Sequence, residues 1–216
     1  RDKLYRAGIY DPALAAAGGT LEVWSHGDHP AAVALARSLG FERTRVLMRM
    51  RRSLTEPLPP VDLPAGVTLR AFVPGRDDEA WLRLNARAFA GHPEQGRLTL
   101  DDLHLRMAEP WFDPAGFLLA ERDSELVGFH WTKIHEDGVG EIYVLGIDPA
   151  AQGIRLAPPL AVAGLSWLRS AGVAVAMLYV DESNPRAVAL YEKLGFTPWS
   201  TDVTYRTAGP AAAAGA

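Results

Sequence analysis

The chain has 216 residues, 48% of them hydrophobic, with a formal net charge of −4 and no cysteine. That apolar content suffices for one domain of ordinary size plus part of another, and the mild acidity argues against a nucleic-acid footprint. The missing cysteines exclude a disulfide framework, a thiolate metal site and a cysteine nucleophile, and they fit a reducing, cytoplasmic setting.

In chain order, the pattern first predicts a strand over Thr20–Ser25 and an amphipathic helix after Pro30. A basic run from Arg43 to Arg52 follows, R-T-R-V-L-M-R-M-R-R, which reads as a strand with one wet face because Arg alternates with Val and Met. Residues 1–55 therefore resemble the closing part of a domain, either a piece of something longer or a domain that is naturally short. Glu56–Gly66, E-P-L-P-P-V-D-L-P-A-G, is a proline-rich connector, extended and stiff.

A complete domain is expected over residues 67–207. Its predicted elements are strand Val67–Phe72, helices Asp78–Ala88 and Thr99–Ala108, and strands Phe117–Arg122, Leu126–Ile134 and Gly140–Ile147. Helix Pro158–Ala171, strand Val173–Val180, helix Asn184–Leu194 and strand Thr197–Arg206 complete it. That order is α+β with a mixed sheet. The apolar stretches Leu156–Leu165 and Val173–Val180 are too short to span a bilayer, and the small, patternless tail 208–216 reads as disordered.

One pattern occurs twice. Shifting the sequence by 155 positions sets Pro30, Ala32, Val33, Ala34, Leu35, Leu39, Gly40 and Phe41 on Pro185, Ala187, Val188, Ala189, Leu190, Leu194, Gly195 and Phe196. Each copy is a strand, a polar turn, a helix and a Leu-Gly-Phe exit, with glycine where helices commonly end. Chemistry distinguishes the copies, because Tyr179, Asn184 and Tyr191 are matched by Trp24, His29 and Ala36.

The strand ending V-L-G-I-D-P (Val144–Pro149), a Gln-Gly loop and a following helix form a unit whose free backbone N–H groups can bind an anion. With N-P-R-A-V-A-L-Y (Asn184–Tyr191) and the Gly195-Phe196 exit, this unit resembles the GNAT acyl-CoA-dependent N-acetyltransferases. Five further segments look like the mycothiol synthase family of tandem GNAT enzymes. They are A-F-A-G-H-P-E-Q-G (Ala88–Gly96), W-F-D-P-A-G (Trp111–Gly116), G-F-H-W-T-K (Gly128–Lys133), G-E-I-Y-V-L-G-I-D-P-A-A-Q (Gly140–Gln152) and L-Y-V (Leu178–Val180). The resemblance covers 67–206 as a full domain and 20–52 as the end of another.

It implies a GNAT fold, a mixed and mostly antiparallel twisted sheet flanked by helices and preceded by a partial second GNAT domain. It also implies acetyl-CoA as co-substrate, no metal, and a small aminoacyl-sugar acceptor, the cysteinyl amine of a cysteinyl-glucosaminyl-inositol. Glu141 is then the base that takes the amine proton and Tyr191 the acid that protonates the leaving thiolate. Glu94, Lys133, Glu141 and Tyr179 line the acceptor. Acetyl-CoA falls to Leu145, Gly146, Ile147, Gln152, Gly153, Ile154, Arg155, Leu156, Ala157, Pro158 and Asn184, Pro185, Arg186, Ala187, Val188, Ala189. Without the resemblance, Glu141 is equally a strand residue facing water, and Tyr191 a ring packed on the sheet. His92 and His130 lack a third ligand at a recognisable spacing, so no metal site is expected.

One position departs from the family. GNAT loops read Q/R-x-x-G-x-G/A, and here Gln152-Gly153-Ile154-Arg155-Leu156-Ala157 carries Arg155 in place of the glycine. The arginine could obstruct the amide cradle or swing outward and pair with phosphate oxygens. Two rival readings remain: a GNAT enzyme with another acceptor, such as a peptide N-terminus, and a degenerate module that binds acyl-CoA or a partner without turnover. Residues 20–52 alone leave strand edges unpaired, so this segment is expected to dock on the complete domain or to dimerise.

Overall fold

The computed structural model describes residues 21–91 and 95–207. The tail 208–216, Glu94 and His92 lie outside the described residues. The strands are β1 (Glu22–His26), β2 (Phe41–Ser53), β3 (Val67–Ala71), β4 (Phe117–Arg122), β5 (Glu125–Ile134), β6 (Gly140–Ile147), β7 (Val175–Asp181) and β8 (Thr197–Thr207). The α-helices are α1 (Pro30–Ser38), α2 (Asp78–Ala88), α3 (Leu100–Met107), α4 (Ala157–Ser170) and α5 (Pro185–Lys193).

These elements group into two compact units. Arg51–Leu178 and Leu190–Thr197 form the larger; residues 21–50, Tyr179–Ala189 and 198–207 form the smaller.

In the larger unit the strands run in the order β7-β6-β5-β4-β3. Pairing from β3 through β6 is antiparallel, whereas β6 and β7 pair in parallel from Gly140↔Ala176 to Ile142↔Leu178. Alternation along β5 divides its side chains between two helical layers. Phe129 and Trp131 join Trp81 and Leu84 of α2 and Leu103 of α3 in an aromatic core, where Phe117 stacks on Trp131 at 4.3 Å and Trp81 stands edge-on to both. His130, on the opposite face, meets α4.

Helix α3 starts at a capping box, in which the Thr99 hydroxyl accepts from the Asp102 N–H while Asp102 reaches back to the Thr99 N–H. Helix α4 begins at Ala157, one residue before the expected Pro158. Its two prolines fall in the first turn, where an amide hydrogen has no intrahelical acceptor. Strand β7 begins at Val175 because Val173 is consumed by the turn after α4, its N–H reaching the Leu168 carbonyl at 3.1 Å.

In the smaller unit β1 lies antiparallel to β8, from Glu22↔Arg206 to His26↔Asp202, so the N-terminal strand finds its partner within this chain. Ala36 of α1 packs with Phe41, Val203 and Tyr205. The arginines of β2 do not form a simple wet face. Arg43 bonds Asp28 at 2.9 Å and Arg45 bonds Asp181 at 2.5 Å, while Arg49 lies over the rings of Tyr179 and Trp199 at 5.4 and 4.5 Å. Arg52, in the larger unit, is 8% exposed and donates to the Leu194 carbonyl.

The sequence repeat is also a structural one. Under the same shift α1 and α5 have identical bounds, and each is followed by a glycine in the left-handed region, Gly40 at φ 73° and Gly195 at φ 81°.

Candidate active site

Glu141 is the second residue of β6 and lies directly across from Lys133 of β5, so both side chains emerge on the same face of the sheet. Glu141 is buried, and its Oε2 stands 2.7 Å from Nε2 of His135. The Lys133 ammonium rests over Trp111 at 4.6 Å and Tyr143 at 5.6 Å. Such stacking holds the cation without neutralising it. Arg106 of α3 donates to the Tyr143 hydroxyl at 3.2 Å.

Register then shifts. Trp131 pairs with Val144 and Thr132 with Ile142, leaving Tyr143 as an extra residue on β6. A bulge of this kind bends its strand and re-aims the side chains that follow. Beyond it come Leu145, Gly146 and Ile147, with Gly146 buried against the Phe129 ring.

The loop from β6 to α4 is anchored by Asp148, which accepts from the Ala150 N–H at 2.9 Å and from Arg87 of α2 at 2.8 and 2.6 Å. Burial raises its pKa, but these bonds outweigh it and hold the carboxyl below its ordinary range. Gln152 and Gly153 are exposed and Ile154 half-buried. Arg155 is exposed with φ 59°, the left-handed conformation that a glycine adopts freely. Its guanidinium makes no ion pair among the described residues. Leu156 is 2% exposed and packs with Val67, Ala120 and Leu160, so its side chain anchors the loop in the core. Ala157 is half-buried and Pro158 exposed.

Tyr191 of α5 is 8% exposed, edge-on to Phe196 at 5.9 Å. Burial pushes its phenol up to about 12, so it keeps its proton at neutral pH.

Tyr179 and Asn184–Ala189 belong to the smaller unit. Tyr179 is 39% exposed, and the Asn184 side chain accepts from the Ala187 N–H at 3.1 Å, capping α5. Pro185, Arg186 and Ala189 are exposed; Ala187 and Val188 are half-buried. Among the described residues no three His, Asp or Glu side chains gather as a metal-binding group, and no helix is long and apolar enough to cross a membrane.

The larger unit thus brings together Glu141, Lys133 and four residues that the sequence did not single out: His135, Trp111, Tyr143 and Arg106. The readable signal for His135 is the turn His135-Glu136-Asp137-Gly138, which returns the chain within hydrogen-bonding reach of Glu141.

A family profile described as Acetyltransferase (GNAT) family matches residues 79–196. The chain belongs to the GNAT acetyltransferase family. Within that family, this GNAT chain is 54% identical to the mycothiol acetyltransferase of Acidothermus cellulolyticus, over 94% of its own length and 67% of that protein. It is 60% identical to the mycothiol acetyltransferase of Thermobispora bispora, over 88% of its own length and 66% of that protein. It spans about two thirds of the length of these curated relatives. Among solved structures, a GCN5-related N-acetyltransferase from Sphaerobacter thermophilus shares the fold with a TM-score of 0.75 and 27% identity, covering 88% of this chain and 59% of that one.

Proposed function

We propose that the chain transfers the acetyl group of acetyl-CoA to the cysteinyl amine of a cysteinyl-glucosaminyl-inositol, the closing step of mycothiol assembly in a reducing cytoplasm. The observation that carries this reading is the buried Glu141 carboxylate, paired with His135, in a chain that shares more than half its residues with mycothiol acetyltransferases.

An α-amino group has a pKa of about 7.7 to 8.0 and attacks a thioester only after losing a proton. Glu141 takes that proton, directly or through one water. Lys133, held over Trp111 and Tyr143, offers a cation to the hydroxyl-rich acceptor. Backbone N–H groups of Leu145–Ile147 polarise the thioester carbonyl. Tyr191, neutral at working pH, gives its proton to the departing thiolate.

The pyrophosphate belongs to the loop 152–158 and the start of α4. Arg155 holds a left-handed backbone that a glycine adopts freely, and its guanidinium adds a charge to that cradle. Pro158 and Pro159 remove two N–H donors from the first turn of α4. This loss weakens the anion site and favours the second reading in its partner-binding form, a module without turnover.

Release of CoA thiol in the presence of acetyl-CoA decides between them. The expected result is rapid release with the cysteinyl-glucosaminyl-inositol, little with a peptide amine, and a loss of about 10²- to 10⁴-fold in Glu141→Gln. Equal release with both acceptors would point to another amine, and none with either would leave the binding module.

A further inference from the structure

We propose that His135 positions the Glu141 carboxylate for proton abstraction. The proposal rests on the acetyltransferase reading above and adds a residue to its base.

The geometry starts with the turn after β5. The His135 N–H reaches the Val139 carbonyl at 2.9 Å, and the Gly138 N–H returns to the His135 carbonyl at 2.8 Å. Gly138 lies in the left-handed region at φ 78°, the conformation that closes a three-residue hairpin loop. Strand alternation sets His135 on the face that carries Lys133, and Lys133 lies opposite Glu141. The hairpin therefore brings the imidazole to the carboxylate, 2.7 Å from Nε2 to Oε2.

Glu141 makes no other side-chain hydrogen bond or ion pair among the described residues. Its cross-strand neighbour Lys133 is turned toward the rings of Trp111 and Tyr143. The charged groups around the pair are Lys133 on β5, Glu136 and Asp137 in the turn, and Arg106 of α3, which is engaged with Tyr143. The Glu141 side chain is 9% exposed and that of His135 30%, so the imidazole stands between a buried carboxylate and water.

A carboxylate on a strand rotates about three bonds, and a base must present one lone pair to the amine. Nε2–H of His135 donates to Oε2, fixes that rotation and leaves Oε1 to receive the proton. The ammonium N–H bond breaks, an O–H bond forms at Oε1, and the freed nitrogen pair attacks the thioester carbon. His135 does not touch the substrate; it acts through Glu141.

Three variants test this: His135→Ala removes the donor, His135→Gln keeps an N–H in reach but cannot titrate, and Glu141→Gln removes the base. Expected are a fall in kcat of about 10- to 100-fold in His135→Ala with the KM for acetyl-CoA unchanged, and recovery of most of that loss in His135→Gln. The Gln variant should also lose any step in its pH–rate profile that belongs to the imidazole. Equal kcat in His135→Ala and the unaltered chain, or equal losses in the Ala and Gln variants, would overturn the proposal.

A nitrogen-15 spectrum of the histidines gives a readout independent of turnover. A His135 Nε2–H signal that moves in Glu141→Gln supports the bond, and one that does not move overturns it. If the unaltered chain releases no CoA with any acceptor while that signal still responds to Glu141→Gln, the functional reading has failed and the pair stands.

Discussion

Acidification should weaken the larger unit through a single buried imidazole. His130 of β5 is 0% exposed; its Nδ1 lies 3.0 Å from the Leu160 carbonyl, and its Nε2 has no partner among the described residues. A carbonyl only accepts, so Nδ1 carries the proton and the neutral ring leaves Nε2 bare. Burial pushes the pKa down from 6.5 to about 4, with the Leu160 bond opposing it in part. The unfolded chain then binds more protons than the folded one between these values. Stability held by neutral His130 is complete above pH 6.5, declines as pH falls, and is lost below about pH 4. At about 1.4 kcal/mol per pKa unit, the contribution is roughly 3 kcal/mol. Urea unfolding of the unaltered chain and of His130→Asn, near neutral pH and near pH 4, measures it. Asparagine keeps an N–H for the Leu160 carbonyl and cannot titrate, so its lost ring volume costs the same at both pH values. The unaltered chain should lose about 3 kcal/mol more than the variant on acidification. Parallel losses in the two proteins would refute the assignment.

Other expectations rest on separate contacts. Gly164→Ala would set a Cβ 2.2 Å from the His130 ring, so despite alanine's better helix propensity the variant should be less stable by about 1 to 3 kcal/mol in urea unfolding. Asp77, 4% exposed, accepts from Arg70 at 2.6 and 3.0 Å and from the Val73 N–H at 2.8 Å. Burial raises its pKa, and these bonds outweigh it, bringing the carboxyl down to about 2. Asp77→Asn should therefore cost about 2 kcal/mol at neutral pH, a difference that shrinks as pH falls from 3.8 through 2. Tyr191→Phe keeps the edge-on contact with Phe196 and should leave unfolding unchanged while kcat falls by about 10²-fold or more; an unchanged kcat would make Tyr191 a packing residue alone.

Much of the fold was legible in local signals. Pro30 and Pro185 open helices, and Gly40 and Gly195 close them, because fixed φ suits a first turn and a missing Cβ suits a left-handed exit. The strands of the larger unit announced themselves by apolar alternation. What the sequence hid depends on contacts between distant positions. Pairing of β1 with β8 joins residues at opposite ends of the chain, and the partners of Arg45, Arg49 and Arg52 come from β7, β8 and the exit of α5. The alternation of Arg with Val and Met therefore suggested solvated guanidinium groups where the structure has paired ones. At the candidate site Glu141 and Lys133 were readable as strand residues of a recognisable pattern. His135 was not, because its role is set by hairpin register, and the left-handed backbone of Arg155 contradicts the preference of its own side chain.

Titration calorimetry of acetyl-CoA into this chain, alongside Arg155→Gly, reads whether the loop 152–158 holds the cofactor with its arginine in place. Micromolar binding by the unaltered chain is expected, with weaker binding by the glycine variant, which has lost the guanidinium. No heat from the unaltered chain, with binding appearing only when glycine is restored, would contradict it.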